Sequence, residues 1–424
     1  MKVAVLGLWH LGCVTAACAA RHFDVVGIEF DPEALVSLRN GRAPLSEPGL
    51  DELIQSGLRA HRLRFTDDVR DACNDADLLW VTCDTPVDED DRSDIEYVLR
   101  QVRQCVPALR HGTLVLISSQ LPVGTCRQLE NEFKAGGYRF ACSPENLRLG
   151  SAIENFTQPD RVIVGHRDAR SREELQRLLT PFTSEIIWIR PESAEMAKHS
   201  INAFLALSIC FMNEIARICE ATGADAKEVE RALKSERRIG PRAYLAPGGA
   251  FAGGTLARDI VTLSDLGDEN RDTLELIRAI KRSNDHHREW ALHKIAGMLA
   301  GKRGRIVLLG LTYKPGTNTL RRSAAIELAR ALSKLGHEIC AIDPSLEQLP
   351  PELGFLHLIA DAEVAVDGAD ALIVCTEWPE FRRLDWPALL PRMRSVQVID
   401  AARFLEKFLP PYAGMKYISV GSPS

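Results

Sequence analysis

Lys198 and Asn202 stand four positions apart in a mostly apolar run, Ala-Glu-Met-Ala-Lys-His-Ser-Ile-Asn-Ala-Phe-Leu-Ala-Leu-Ser-Ile-Cys-Phe-Met-Asn-Glu. If the run is helical, i and i+4 share a face, so an ammonium and an amide leave the same apolar stripe. Together they stabilise a developing alkoxide or take its proton, because desolvation draws a lysine pKa toward neutrality. A lysine snorkelling to water beside a capping amide is the plainer alternative. Further along, Gly248-Gly-Ala-Phe-Ala-Gly-Gly-Thr255-Leu-Ala-Arg258-Asp259 is a glycine-rich loop entering a helix, where backbone approaches a ligand closely. Thr255 stands at or near the N-cap. Asp259, one turn on, is an ordinary first-turn acid unless it has a partner.

Two strand-glycine-helix sites lie toward opposite ends of the chain. The first is Lys2-Val-Ala-Val-Leu-Gly7-Leu-Trp9-His10-Leu11-Gly12; the second is Arg305-Ile-Val-Leu-Leu-Gly310-Leu-Thr-Tyr-Lys-Pro. Each reads as a buried parallel strand ending in glycine. Gly7 closes the turn, Gly12 lets strand and helix pack, and the helix N-terminus offers free N–H groups to a pyrophosphate. Trp9 occupies the place where the dinucleotide fingerprint has its middle glycine. Glu29, 22 residues after Gly7, is placed to accept from both hydroxyls of an adenosine ribose. An acid there repels a 2′-phosphate, so NAD is expected over NADP. A nucleotide-free Rossmann-like turn is the alternative, and Trp9 is its argument. Two such sites suggest one nucleotide as redox cofactor and the other as the handle of a substrate.

These residues need elements to hold them, and 424 residues supply two or three domains. Up to about residue 190, β-branched runs at Val3 to Leu6, Val25 to Glu29, Leu78 to Thr82, Leu114 to Ser118 and Val162 to Val164 alternate with helical patterns, a doubly wound α/β signature. From Pro191 to Gly223 the pattern is one long helix, apolar on most faces, whose burial points to a domain or subunit interface and hence to a homodimer. Strands return at Arg305 to Leu309, Glu338 to Ile342, Ala371 to Cys375 and Val396 to Ile399. The expected fold is α/β, two Rossmann-like doubly wound domains (1–190 and 301–424) joined by a central helical domain (191–300). A net charge of -6 offers no basic field for nucleic acid. No apolar run approaches the roughly 20 residues that span a bilayer, and no leader pattern is evident, so a cytoplasmic protein without a membrane partner is expected. Eleven cysteines without a Cys-x-x-Cys pair read as reduced thiols, mostly in the core, and no metal cluster is evident.

The chain resembles the UDP-glucose/GDP-mannose dehydrogenase family along nearly its whole length. The resemblance is carried by Ser119-Gln-Leu-Pro-Val-Gly-Thr125, Ser143-Pro-Glu145-Asn-Leu147, Pro159-Asp-Arg-Val-Ile-Val-Gly165, Glu195-Met-Ala-Lys198-His-Ser-Ile-Asn202, Asn213-Glu214, Arg238-Ile-Gly240 and the loop ending at Asp259. In the C-terminal part, Gly310 to Ser323, Asp343-Pro344 and Thr376-Glu-Trp378 match as well. Members oxidise C6 of a sugar nucleotide from alcohol to carboxylate with two NAD and a covalent thiohemiacetal on a cysteine. The resemblance implies active-site positions at Glu145, Lys198, Asn202, Thr255 and Asp259. It implies cofactor contacts at Gly7, Trp9, His10, Leu11, Gly12, Glu29, Thr85, Gln120 and Arg258. Substrate contacts are implied at Glu145, Leu147, Lys198, Asn202, Phe251, Gly253, Lys314 and Arg321, with Arg238 reaching the neighbouring subunit's sugar.

Four departures accompany the resemblance. Thr255 stands where the family has its nucleophilic cysteine, Gln120 where it has a threonine near the catalytic water, Arg258 where it has a lysine, and Trp9 at the middle glycine. Asn146 replaces a frequent aromatic, which implies an altered sugar pocket. Hydride removal from an alcohol needs a stabilised alkoxide and a proton acceptor, and Lys198, Asn202 and a water held by Asp259 suffice. Covalent oxidation of the aldehyde needs a nucleophile, and a threonine hydroxyl without a base is a poor one beside a cysteine of pKa about 8.5. The expectation is one two-electron oxidation of a nucleotide-linked sugar, ending at an aldehyde or ketone. The alternatives are a four-electron dehydrogenase working without cysteine and a catalytically silent paralogue that binds the sugar nucleotide.

Overall fold

The computed structural model describes residues 1–88, 90–145 and 147–423, so Asn146 lies outside the described residues. Two compact units divide at one point inside the long helix, Met1–Ile201 and Asn202–Ser424. The three segments expected from periodicity are a finer division than this.

In the first unit, eight strands are β1 (Lys2–Leu6), β2 (Asp24–Ile28), β3 (Leu63–Thr66), β4 (Leu78–Val81), β5 (Leu114–Ile117), β6 (Arg139–Cys142), β7 (Val162–Gly165) and β8 (Ile186–Ile189). They form one sheet in the order β3-β2-β1-β4-β5-β6-β7-β8. Every pairing is parallel except β6 with β7, which meet antiparallel at Cys142 and Gly165. Val3, Val5, Leu114 and Leu116 face one core; Ala4, Leu6, Val115 and Ile117 face the other. Burial on both faces explains why these strands are continuous apolar runs, not alternating ones. Three expected strands end one residue early, leaving Glu29, Thr82 and Ser118 just beyond the ladder. Each makes a side-chain bond in the loop region: Glu29 accepts from Leu8 N–H, Thr82 donates to the Leu6 carbonyl and Ser118 to that of Ser143.

The second unit repeats the same winding. Strands β9 (Arg305–Leu309), β10 (Glu338–Ile342), β11 (Leu356–Leu358), β12 (Ala371–Val374), β13 (Gln397–Asp400) and β14 (Lys416–Ile418) take the order β11-β10-β9-β12-β13-β14, all parallel. Both sheets therefore run third, second, first, fourth, fifth, sixth, the path that opens a crevice at the carboxyl ends of their first and fourth strands.

The long helix spans Pro191–Thr222, entered by a proline at its first position and ended at Gly223 with φ 81°. By length and composition it would pass for a membrane span, which corrects the expectation that no apolar run comes near that length. Its buried polar side chains find partners in protein: Glu195 accepts from the N–H of Gly124 and Cys126, and Asn213 bonds the backbone of Gly248 and Gly249. That is the behaviour of a core helix.

Candidate active site

The first glycine turn is sterically obligatory. Gly7 has φ 87°, and a Cβ there would lie 2.6 Å from Cys83 Cα; one on Gly12 would lie 1.8 Å from the Gly7 carbonyl oxygen. Strand and helix thus meet with no room for a side chain. The helix His10–Ala19 begins with Trp9 as N-cap and no side-chain cap, so its opening N–H groups remain available to an anion. Trp9 is half-exposed. Glu29 folds back: Oε2 accepts from Leu8 N–H at 3.0 Å, and Oε1 from Phe30 and Asp31 N–H at 2.9 and 3.1 Å. Three of about four lone-pair positions are committed to shaping the turn, leaving little more than one for a ribose. His10 directs Nε2 to Glu47 at 2.9 Å. Burial pushes the Glu47 carboxyl up, but the N–H groups of Gly150 and Ala152 and the His10 imidazole outweigh it and leave it below the usual range. An uncapped helix start, a turn closed by glycines and an acid at the second strand's end fit a dinucleotide.

Beside this turn, the buried Thr85 donates its hydroxyl to the Gln120 carbonyl at 2.8 Å. Gln120 Nε2 lies 3.2 Å from Nδ1 of the buried His199, whose Nε2 lies 3.1 Å from the Leu121 carbonyl. Gln120, Ser119, Glu195 and the half-buried Lys198 line one small cavity. Burial pushes the Glu195 carboxyl up against the lowering effect of its two backbone donors. Glu145 is half-buried in the loop after β6, and Leu147 packs on the core beneath it. Gly7, Gly12, Glu29, Thr85, Gln120, Glu145 and Lys198 all belong to the first unit, and all but Gly12 and Lys198 lie in loops that follow strands.

Asn202, one turn beyond Lys198 on the same helix, donates Nδ2–H to Asp259, which is fully buried in the first turns of the helix Thr255–Glu269. Among the described residues, one amide N–H and the carbonyl oxygen of Asn202 stay uncommitted. Arg258 Nε, also buried, is 3.7 Å from Asp259 and has no hydrogen-bond partner among the described residues. Asp259 is therefore a buried carboxylate with an amide and a guanidinium beside it, not a solvated first-turn acid. Thr255 is exposed at the first helical position after Gly254 (φ 103°), and among the described residues its hydroxyl has no hydrogen-bond partner.

The loop that presents Thr255 is strapped by side chains the sequence reading left out. Asn284 grips Phe251 through both its N–H (3.0 Å) and its carbonyl (2.9 Å). His287 Nε2 lies 2.8 Å from the Gly248 carbonyl, and Arg217 lies 3.1 Å from Nδ1. Asn284 and His287 are three apart on a helix otherwise full of charge, and that periodicity is the one signal that could have found them. Gly253 is half-buried within the loop. Arg322, at φ 60°, brings Nη1 to 3.5 Å from where a Gly254 Cβ would stand.

The second glycine turn copies the first. Gly310 has φ 89°, and a Cβ on it would fall 2.4 Å from Thr376 Cβ. Asp343 takes the place of Glu29, accepting from the N–H of Leu311 and Thr312 at 2.7 and 3.0 Å. Thr376 donates to the Thr312 carbonyl and Trp378 Nε1 to its hydroxyl. Lys314 is half-buried and Arg321 exposed in the loop that follows. Arg238 is exposed, paired with Glu236 at 3.0 Å, and lines a cavity of about 770 Å³ with Phe204, Phe211 and Ile239. Among the described residues no group of His, Cys, Asp or Glu is arranged to hold a metal ion.

Three family models match in succession: the NAD binding domain of the UDP-glucose/GDP-mannose dehydrogenase family over residues 1–183, its central domain over 192–286 and its UDP binding domain over 307–407. The chain is 32% identical to a UDP-glucose 6-dehydrogenase of Pseudomonas aeruginosa, covering 100% of this chain and 98% of that one. A UDP-glucose 6-dehydrogenase of Rhizobium meliloti is also 32% identical, with 100% of both chains covered. Among solved structures, a UDP-glucose dehydrogenase of the hyperthermophilic archaeon Pyrobaculum islandicum is similar with a TM-score of 0.88 and 29% identity, over 99% of this chain and 98% of that one. With its two glycine turns, its buried Asn202–Asp259 pair and these matches end to end, the chain belongs to the UDP-glucose/GDP-mannose dehydrogenase family, NAD-dependent oxidoreductases of nucleotide sugars.

Proposed function

We propose that this chain oxidises an alcohol of a nucleotide-linked sugar in a single two-electron step and releases an aldehyde or ketone. The observation that carries this reading is Thr255: an exposed hydroxyl with no hydrogen-bond partner among the described residues, in a site whose Asn202–Asp259 pair is intact. NAD, when bound, supplies the hydride acceptor. Gly7, Trp9, His10, Leu11 and Gly12 would hold it at the first helix start, with Glu29, Thr85, Gln120 and Arg258 around it. The hydroxyl proton passes to a water held by Asp259 while Lys198 stabilises the alkoxide, the second amide N–H of Asn202 adds a donor, and Asp259 fixes that amide's orientation. Glu145, Leu147, Phe251, Gly253, Lys314 and Arg321 complete the substrate contacts. An unactivated threonine provides no covalent route from aldehyde to acid.

The second reading is a four-electron oxidation to a uronate, with the hydrated aldehyde oxidised directly. It is favoured by the full-length relatives, which are UDP-glucose 6-dehydrogenases. A gem-diol also carries a removable hydride. A mass-spectrometric screen of nucleotide sugars with NAD separates the two: one NADH per sugar and a carbonyl product supports the first, two NADH and a carboxylate the second. No NADH from any candidate, with sugar-nucleotide binding intact, overturns both in favour of a silent paralogue. The reading includes a cytoplasmic homodimer organised as 1–190, 191–300 and 301–424, with Arg238 serving the neighbouring subunit's sugar.

A further inference from the structure

Glu47 is 6% exposed, and three donors from two distant stretches of chain meet on its carboxylate. Oε2 accepts from His10 Nε2–H at 2.9 Å and from the Gly150 N–H at 2.8 Å, and Oε1 accepts from the Ala152 N–H at 2.9 Å. His10 is the donor of the first bond, because the Glu47 carboxyl, which lies below the usual range, is ionised and can only accept. Glu47 stands on a firm base. Its own carbonyl accepts from the Leu50 N–H at 3.1 Å, and Leu50 and Ile54 of the helix Leu50–Arg59 share a core with Val14 and Cys18 of the helix His10–Ala19. His10 works on two sides: its side chain is committed to Glu47, while its backbone N–H belongs to the uncapped helix start that suits a pyrophosphate. Gly150 and Ala152 stand where the loop after β6, which carries Glu145 and Leu147, enters the helix Ala152–Thr157. One buried carboxylate thus ties the start of the dinucleotide helix to the far end of that loop.

We propose that Glu47 is a positioning residue that couples two binding events: a dinucleotide seated on the first helix start orders, through His10 and Glu47, the loop that carries Glu145 and Leu147. The coupling to a sugar nucleotide rests on the substrate contacts proposed above; the link from cofactor to loop stands without them. An anion on the opening N–H groups holds His10 in place, His10 holds the carboxylate, and the carboxylate holds the N–H groups of Gly150 and Ala152. Order supplied by the first ligand need not be supplied again by the second, so each tightens the other by the same factor. Breaking the link therefore removes this mutual gain, beyond any loss of affinity for either ligand alone.

The link is tested by hydrogen–deuterium exchange on the whole protein, following the backbone around Gly150 and Ala152 with and without saturating NADH. Exchange in wild type is expected to slow by about threefold or more on binding. Glu47→Gln, which sets an NH2 against a backbone N–H, and His10→Met, which removes the donor and keeps the bulk, should each lose that slowing at saturating NADH. His10→Gln, whose amide brings an N–H close to the place of Nε2, should restore it. No slowing in wild type, or equal slowing in the variants that lack the link, overturns the proposal. The coupling is tested by fluorescence titration of NADH, which cannot accept a hydride, with and without UDP-glucose. Wild type is expected to bind NADH about fivefold or more tightly in its presence, and Glu47→Gln to cut that gain to less than about twofold. If Glu47 were only structural, Glu47→Gln would lower the melting temperature and leave the gain as in wild type. No gain in wild type with UDP-glucose bound overturns the coupling. Should UDP-glucose not bind, the proposed substrate contacts fail, and the coupling with them; the exchange result still decides the link.

Discussion

A cysteine introduced at Thr255 would enter at the first position of a helix whose N–H groups have no side-chain cap, an environment that lowers a thiol pKa and makes thiolate at neutral pH. Thr255→Cys is therefore expected to begin producing carboxylate, with NADH per sugar rising from one toward two. Its gain should be small, because Gln120 stands where the family has a threonine beside the hydrolytic water, so the acyl-enzyme would hydrolyse slowly. The double change Thr255→Cys with Gln120→Thr should exceed the product of the single effects, and quantitative NADH and product analysis checks it. Wild-type protein that already releases acid would remove the premise. Lys198→Ala is expected to lower kcat by about 100-fold or more with little change in sugar-nucleotide affinity, in keeping with a charge on the alkoxide. A near-normal kcat would return Lys198 to a snorkelling role. At Trp9, a half-exposed residue at the N-cap of the first helix, Trp9→Gly is expected to tighten NAD by calorimetry; equal or weaker binding would mean that the indole stacks usefully on the cofactor.

The loop 248–254 gains its order from a helix that follows it in sequence, and the strap carries a pH dependence. Burial and the nearby Arg217 and His286 charges hold His287 below its usual 6.5, against the opposing pull of the Gly248 carbonyl and Glu220. The unfolded chain takes up this proton first as pH falls, so the strap contributes fully above about pH 6.5 and its contribution is lost as pH drops toward the lower folded value. Melting temperatures between pH 7.5 and 5.5 should fall more for wild type than for His287→Asn; parallel curves would exclude the linkage. Asn284→Ala, which leaves both Phe251 backbone groups without their partner, is expected to cost about 1–3 kcal/mol of stability and to lower kcat through a looser Thr255. These straps also mark the limit of what the sequence carries. The strands were legible because both sheet faces are buried, so each strand is a short apolar run, and the glycine turns because Gly7, Gly12 and Gly310 meet backbone where no Cβ fits. Lys198 and Asn202 were legible as polar exceptions in an apolar helix. His199 was not, since nothing local tells a histidine that bonds a distant loop from one at the surface. The folding back of Glu29 was hidden too, because an acid ending the second strand is placed equally well to serve a ribose or its own turn.

At the scale of the whole molecule, the same winding occurs twice, and each time an acid after the second strand closes the glycine turn: Glu29 on Leu8, Asp343 on Leu311. The long helix Pro191–Thr222 leaves an apolar face exposed. Phe204, Phe211 and Ile218 repeat every seven residues and are 67%, 45% and 63% exposed, an apolar stripe along one helix face beside the cavity that Arg238 helps line. A stripe of that kind is removed from water by a second copy of the same surface in a two-fold dimer. Light scattering at micromolar concentration should give a dimer, and Phe204→Lys with Phe211→Lys should give a monomer that still binds NAD. If Arg238 serves the neighbour's sugar, that monomer loses sugar-nucleotide affinity. Arg238→Ala mixed with Lys198→Ala then recovers activity, because a mixed dimer places both lesions in one site and leaves the other whole. With random exchange, half the dimers are mixed and half their sites intact, so about a quarter of wild-type activity should return. No recovery in dimers shown to have exchanged would put Arg238 and Lys198 in the same subunit's site.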